Sequence, residues 1–123
     1  MQYHNDIHGA DVLQFGYYLL KNTFFVDVAI LSDLDVFSFL LACACNDYGH
    51  DGFTNFYHIN KVTERAIRFN DVAVQEQHTI AEIFSLIMKT GLLSHMSRDN
   101  FKRFRKRLTG MILATDIERT LDD

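Results

Sequence analysis

The chain has 123 residues, 48% of them hydrophobic, with no proline and a formal net charge of −4. A chain of this length forms one domain with a modest core, and its apolar content excludes an intrinsically disordered protein. The charge is mild, so it gives no reason to expect a nucleic acid or an anionic membrane as partner. Long periodic apolar runs without proline favour helices, and the sequence therefore predicts an all-α fold.

The sequence also bears on membrane insertion and on the redox state of the two cysteines. The longest apolar stretch, Val36 to Cys45, is far shorter than the roughly 20 residues of a membrane span. Residues 1–11 are polar and rich in histidine, unlike a signal peptide. Cys43 and Cys45 lie too close in sequence for bridging geometry, so we expect buried free thiols in a reducing compartment. The sequence predicts a cytoplasmic protein with no membrane span.

The first half of the chain contains two predicted helices. One carries His4 and His8 and continues to Leu19, and residues 22–31 are expected to form a loop or a short helix. Ser32 is placed to cap the second helix. Residues 36–45 are apolar nearly all round, which predicts a central, fully buried helix.

The second half contains two more predicted helices. Asn70 and Asp71 are expected to cap the first, and Gly91 to end it. The last begins near Ser97 or Asp99. The buried face of the first is predicted to comprise Ile80, Ile83, Phe84, Ile87 and Met88, and that of the last Phe101, Phe104, Leu108, Met111, Ile112 and Thr115.

The last helix carries a basic run on its opposite side: Lys102, Arg103, Arg105, Lys106 and Arg107. The run is either a phosphate-binding surface or a solvated helix face, and such runs are more often the latter. A nucleic-acid-binding role built on these side chains is the weakest interpretation, and we expect no nucleic acid as partner.

His4 and His8 are four residues apart, so on a helix they share a face and can reach one point. They could hold a metal ion, or one could hold metal while the other moves a proton. A chance pair of surface histidines has the same spacing. The spacing also occurs in helical metalloproteases, but Asn5 stands where that motif needs a glutamate.

Polar residues at the end of the apolar helix form a second group of candidates. Asp47 and His50 are costly to bury without partners or a metal ion. Glu76 and His78 add two more side chains. An oxygen- and imidazole-rich site for Zn, Mg or Mn could comprise His4, His8, Asp47, His50 and Glu76, or these could be scattered surface residues.

Four segments together resemble the class I cyclic-nucleotide phosphodiesterases. Residues 3–12 resemble Y-H-N-x-x-H-A-x-D-V, with Gly9 for the usual Ala. Residues 46–55 resemble H-D-x-x-H-P-G-x-x-N, with Asn46 for His and Asp51 for the frequent Pro. Residues 69–78 resemble Y-N-D-x-S-V-L-E-x-H, the first ten positions of the family's Y-N-D-x-S-V-L-E-x-H-H, and residues 112–116 match I-L-A-T-D. The resemblance implies a compact, multi-helix HD-type phosphodiesterase domain, here expected to be partial over 1–123 and truncated at both ends.

The resemblance also implies roles for individual residues. His4 matches the general acid that protonates the leaving 3′ oxygen, and His8 and Asp47 match ligands of two divalent ions, Zn and Mg or Mn. The residues that match positions holding water around those ions are His50, Glu76 and Thr115.

Asn46 departs from this pattern, because it replaces a histidine ligand, and an amide oxygen binds Zn less well than imidazole nitrogen. The resemblance places a fourth ligand, an aspartate, and the base-binding residues downstream of Thr115, beyond Asp123. The sequence therefore predicts a hydrolase of cAMP or cGMP with doubtful metal binding, or a catalytically inactive interaction or regulatory domain. We also expect self-association through exposed apolar faces.

Overall fold

In a computed structural model, residues 5–22 and 32–116 are described, and these ranges form helices with no strand. The all-α prediction is confirmed. In the described part of the chain no helix is both long and apolar enough to cross a membrane. The helices are α1 (Asp6–Asn22), α2 (Asp33–Cys45), α3 (Asn55–Lys61), α4 (Glu64–Arg68), α5 (Val74–Thr90) and α6 (Arg98–Leu113).

The predicted cap of α2 is confirmed. The Ser32 hydroxyl accepts the Asp35 backbone N–H at 3.1 Å, and the Asp35 carboxylate accepts the Ser32 N–H at the same distance. This reciprocal pair satisfies two backbone donors that a helix start leaves unpaired. Arg107 of α6 forms an ion pair with the same carboxylate, so the cap also ties α2 to α6.

The prediction that α2 is fully buried is wrong. Only Ser38 and Ala42 are buried along it, and Phe37 is 40% exposed. The helix packs mainly against α1 and α6, and two neighbouring helices do not cover the whole circumference of a third. Cys43 and Cys45 are free, as expected, but partly accessible, and burial raises the pKa of both thiols.

The predicted cap of α5 is also wrong. Asn70 and Asp71 adopt left-handed backbone conformations, and the Asp71 N–H donates to the Ala66 carbonyl at 2.9 Å, which closes the end of α4 instead. Helix α5 begins after Ala73, which has no side-chain cap bond of its own. At the other end, Gly91 has a φ of 65° and its N–H bonds to Ile87, so the predicted stop is confirmed.

The core lies between α5 and α6, with Ala42 of α2 beside it. Phe104, Leu108 and Ile112 are fully buried and Ser97 caps their helix, as predicted. Two expected core residues are exposed, and two more, Phe101 and Met111, are only partly buried. Met88 is 67% exposed on α5, and Thr115 follows the end of α6 on the surface. A spacing of three and four places residues on one side of a helix, but it does not fix how far the facing helix extends.

Helices α1 and α2 approach each other at two glycines. A Cβ atom at Gly9 would lie 2.7 Å from the Ala44 carbonyl oxygen, and one at Gly16 would lie 2.7 Å from the Cys43 Sγ. The absence of a side chain at Gly9 therefore sets how closely the start of α1 approaches the end of α2.

A polar network, which we call the polar clamp, joins the loop after α2 to the short helices and to α5. Its members are Asp51, His58, Arg65 and Gln75. The Asp51 carboxylate accepts hydrogen bonds from Gln75 and from the Phe53 backbone N–H, and pairs with His58 at 3.0 Å and Arg65 at 3.7 Å. His58 and Gln75 are buried, so these bonds compensate the desolvation of their polar atoms.

We predict that Gly9→Ala destabilises the protein, whereas Gly110→Ala stabilises it. Alanine is favoured over glycine in a helix interior by about 1 kcal/mol, and a Cβ at Gly110 meets nothing within 4 Å. At Gly9 the same gain in helix propensity is outweighed, because the new Cβ would push the backbones of α1 and α2 apart at Ala44. Urea unfolding of both variants measures the difference, and equal stabilisation by the two substitutions would contradict the close approach of α1 and α2.

Asp51 should make stability depend on pH. Burial alone would raise its pKa, but the bonds from Phe53, Gln75 and His58, with the charge of Arg65, hold the pKa of Asp51 below its usual value near 3.8. A lowered folded-state pKa contributes stability that is fully present above the unfolded-state pKa. That contribution is lost as pH falls from the unfolded-state pKa through the lower folded-state pKa. Thermal unfolding from pH 3 to 7 should show Asp51→Asn least stable relative to the parent near neutrality, with the gap shrinking in acid. A gap that stays constant would contradict this.

Candidate functional site

The contact between α1 and α2 brings together two predicted metal ligands. The His8 Nε2 lies 2.9 Å from the Asp47 Oδ2, and both side chains are partly buried. The Asn5 side chain accepts the His8 backbone N–H at 2.9 Å and so caps the first turn of α1. Asn5 stands where the metalloprotease motif has a glutamate. Here its side chain helps to fix the position of His8.

The turn that follows α2 carries the next candidates. The Tyr48 N–H bonds to the Cys45 carbonyl, and the His50 N–H bonds to the Asp47 carbonyl. The Thr79 hydroxyl of α5 donates to the Tyr48 carbonyl at 2.8 Å. The turn is thereby fastened to α5, and Asp47 and His50 face the start of that helix.

A cavity of about 250 Å³ lies between this turn, the start of α5 and the end of α6. It is lined by Asn46, Asp47, His50, Gln75, Glu76, Thr79 and Thr115. Five of these seven residues were predicted as site positions from three separate sequence segments. His8 instead lines a neighbouring cavity of about 480 Å³, which it shares with Asn46 and Asp47. Asn46 and Asp47 therefore border both cavities.

Glu76 is held at the cavity by Asn55, which the sequence analysis did not single out. The Asn55 Oδ1 accepts the Gln75 backbone N–H at 2.8 Å, and its Nδ2 donates to the Glu76 Oε2 at 2.9 Å. Asn55 thus caps α5, which lacks a cap of its own, and directs the carboxylate. Its place as the final residue of the second motif was the one available indication.

The remaining candidate side chains, those of His50, Thr115 and His78, have defined environments. The His50 Nδ1 accepts the Gly52 N–H at 2.9 Å, so the neutral ring carries its proton on Nε2. The Thr115 hydroxyl donates to the Ile112 carbonyl at 2.6 Å. Burial, followed by the charge of Arg65, lowers the pKa of His78, and this ring lies against the turn at Gly49 rather than in the cavity.

Two predictions fall outside the described residues. One is His4, the candidate general acid. The other is the loop or short helix at 22–31, apart from Asn22, which ends α1.

Part of the basic run on α6 has structural partners. Arg107 pairs with Asp35 and Arg105 stacks over the Phe84 ring at 4.8 Å. These contacts favour a helix face that supports packing over a dedicated phosphate surface.

The donor atoms at the α1–α2 contact suit a divalent cation in part. Within residues 5–22 and 32–116, no group of three His, Cys, Asp or Glu side chains converges. However, the Oδ1 of Asn46 is buried without a hydrogen-bond partner, and the residue lines the same cavity as His8 and Asp47. One imidazole nitrogen with carboxylate and amide oxygens fits a hard ion such as Mg or Mn better than Zn.

Comparison with known proteins identifies the family. The family model described as 3′5′-cyclic nucleotide phosphodiesterase matches residues 3–122. A dual specificity calcium/calmodulin-dependent 3′,5′-cyclic nucleotide phosphodiesterase of Drosophila melanogaster is 39% identical over 117 residues, and a probable 3′,5′-cyclic-AMP phosphodiesterase of Caenorhabditis elegans is 41% identical over 119. These alignments cover 94% and 95% of this chain, but only 14% and 17% of the relatives.

A solved structure shows the same fold. The crystal structure of the phosphodiesterase domain of the RhoPDE fusion protein from the choanoflagellate Salpingoeca rosetta matches with a TM-score of 0.85 and 32% identity. The match covers 94% of this chain and 36% of that one. Sequence and fold agree over nearly the whole chain, and the chain belongs to the 3′,5′-cyclic nucleotide phosphodiesterase family.

Proposed function

We propose that the protein hydrolyses 3′,5′-cyclic nucleotides, cAMP or cGMP, to 5′-monophosphates in signal transduction, and that residues 1–123 are part of its catalytic domain. The observation that carries the proposal is the cavity of about 250 Å³, which is lined by Asp47, His50, Glu76 and Thr115. These residues come from separate segments and match the family pattern one by one. A cytoplasmic location stays a prediction.

For the cofactor, we propose divalent metal ions at the contact between α1 and α2. Asp47 and His8 would hold the ion, and the unpaired Asn46 oxygen would complete a set of three donors. A bound divalent ion polarises phosphoryl oxygens and lowers the pKa of a coordinated water. The resemblance to the family implies two divalent ions, Zn and Mg or Mn. Mg or Mn would suit these oxygen donors. Zn would bind less tightly, because Asn46 replaces an imidazole.

The remaining side chains would orient water and move protons. His50 presents a protonated Nε2 because its Nδ1 already accepts the Gly52 N–H. Glu76, fixed by Asn55, and Thr115 present oxygen atoms at the same cavity. Such surrounding groups orient the directly binding ones. His4 is proposed as the general acid because it matches that position in the family motif at residues 3–12.

A second candidate function is an inactive relative that acts as an interaction or regulatory domain. Asn46 favours it, because this residue removes one imidazole from the metal site. Exposed apolar side chains, including Met88 and Leu92 at 67%, offer a surface for self-association. Met88 also lines a groove of about 340 Å³ between the end of α5 and the start of α6, together with Leu93 and Met96.

The role of Asn46 can be tested by metal titration. We expect Asn46→His to bind Zn at least about tenfold more tightly than the parent, because imidazole nitrogen replaces an amide oxygen, and Mn binding to change less. Isothermal titration with each ion measures the Zn and Mn affinities. Asn60→His, at an exposed position of α3, controls for an added surface histidine. Equal Zn affinity in parent and Asn46→His would exclude Asn46 from the metal site.

Hydrolysis itself separates the two candidate functions. We expect Mn-dependent conversion of cAMP or cGMP by the protein, increased by Asn46→His and reduced at least about hundredfold by Asp47→Asn, because Asp47 faces both cavities. Chromatographic detection of the 5′-monophosphate measures the rate. The assay is made on a chain extended to the whole catalytic domain. If neither the parent nor Asn46→His then forms product while both bind metal, the inactive alternative is supported.

A further inference from the structure

The polar clamp contains two of the positions at which the chain departs from the family motifs. The family pattern has Pro where this chain has Asp51, and Leu where it has Gln75. In the structure these two residues bond directly to each other. A proline and a leucine could form only an apolar contact there, whereas the present pair forms a hydrogen bond to a charged acceptor.

Every polar atom of the Gln75 side chain has a partner. Its amide nitrogen donates to Asp51 and to the Phe53 carbonyl, the latter at 2.8 Å, and its oxygen accepts from Arg65 at 2.8 Å. The residue is only 3% exposed. A buried amide without these bonds would destabilise the fold, so Gln75 is compatible with this position because Asp51 and Arg65 are present.

The same residue begins the path to the cavity. The Gln75 side chain holds the first turn of α5 against the loop at residues 51–53, and its backbone N–H donates to Asn55. Asn55 in turn donates to Glu76. Because Asn55 starts α3 just after that loop, releasing the loop from α5 would also release the contact between Asn55 and Glu76.

We propose that Asp51 and Gln75 are coupled positioning residues, which set the orientation of Glu76 at the cavity through Asn55. His58 and Arg65 complete the clamp: the Thr63 hydroxyl lies 2.6 Å from His58 Nδ1, which leaves Nε2–H to donate to Asp51. The positioning role rests on the proposed function, because it concerns the same cavity. The clamp and its coupling can be measured without any turnover.

The first test follows the Asn55 side-chain amide by NMR. In the parent its two protons should be resolved and slow to exchange with solvent, because Asn55 is bonded at both ends. In Gln75→Leu and in Asp51→Ala the pair should shift toward the free-amide position and exchange at least about tenfold faster, as local opening predicts. Glu64→Ala, which removes only the exposed ion pair with Arg68, is the control and should leave the signal unchanged.

The second test is a double-mutant cycle on the melting temperature. Each single substitution leaves a polar partner unsatisfied, so we expect the loss in Asp51→Ala/Gln75→Leu to be clearly smaller than the sum of the two single losses. Should Gln75→Leu not fold, Arg65→Met removes one donor to Gln75 and keeps the apolar stem. An unchanged Asn55 signal in the single variants, or strictly additive losses, would overturn the proposal.

Turnover distinguishes this proposal from the proposed function. In an active protein, Gln75→Leu should lower kcat about tenfold or more, as loss of an orienting group does. The effect on KM should be smaller than the effect on kcat, because Gln75 acts on Glu76 through Asn55, although Gln75 itself also lines the cavity. A parent without hydrolysis counts against the proposed function alone, and the NMR and melting results still decide the clamp. A normal kcat with a perturbed Asn55 signal would contradict the positioning role.

Discussion

The start of α5 is the constraint around which the site is organised. Free N–H groups at a helix start need acceptors, and Ala73 supplies no side-chain bond. Asn55 supplies one from another helix. For Asn55 to accept this N–H, α3 and the loop before it must lie against α5. This arrangement places His50 and Glu76 at the same cavity. The same Asn55 side chain therefore satisfies a backbone N–H at the start of α5 and orients Glu76 at the cavity.

The α1–α2 contact completes the site from the other side. Gly9 permits the close approach that places His8 against Asp47. Asn46, next along the chain, has a buried oxygen without a partner, and such an atom is costly unless something binds it. In the proposed metal site, an oxygen donor in place of an imidazole would favour Mg or Mn over Zn.

Much of this arrangement was predictable from the sequence, and the failures have physical reasons. Ser32 and Gly91 act locally, so the caps of α2 and the end of α5 were predicted correctly. Asn70 was mistaken for a cap because asparagine also favours left-handed turns. Asn55 and Gln75 were missed as functional residues because the contacts of Asn55 with Glu76 and of Gln75 with Asp51 join residues 21 and 24 apart in sequence, and periodicity carries no information about such contacts. Of the residues that the motif pattern singles out, Asn46, Asp47, His50, Glu76 and Thr115 line one cavity and His8 lines a neighbouring one. Their roles stay predictions, and the structure adds how the side chains are held.

The central claim is that His8, Asn46 and Asp47 form a metal site at the edge of a phosphodiesterase cavity. Its most direct test is anomalous diffraction at the manganese edge from crystals of the protein soaked in Mn²⁺. The account predicts a peak within ligand distance of the Asp47 carboxylate, facing both His8 and the Asn46 oxygen. Manganese bound only elsewhere, or an Asp47 that remains paired with His8 at saturating Mn²⁺, would contradict it.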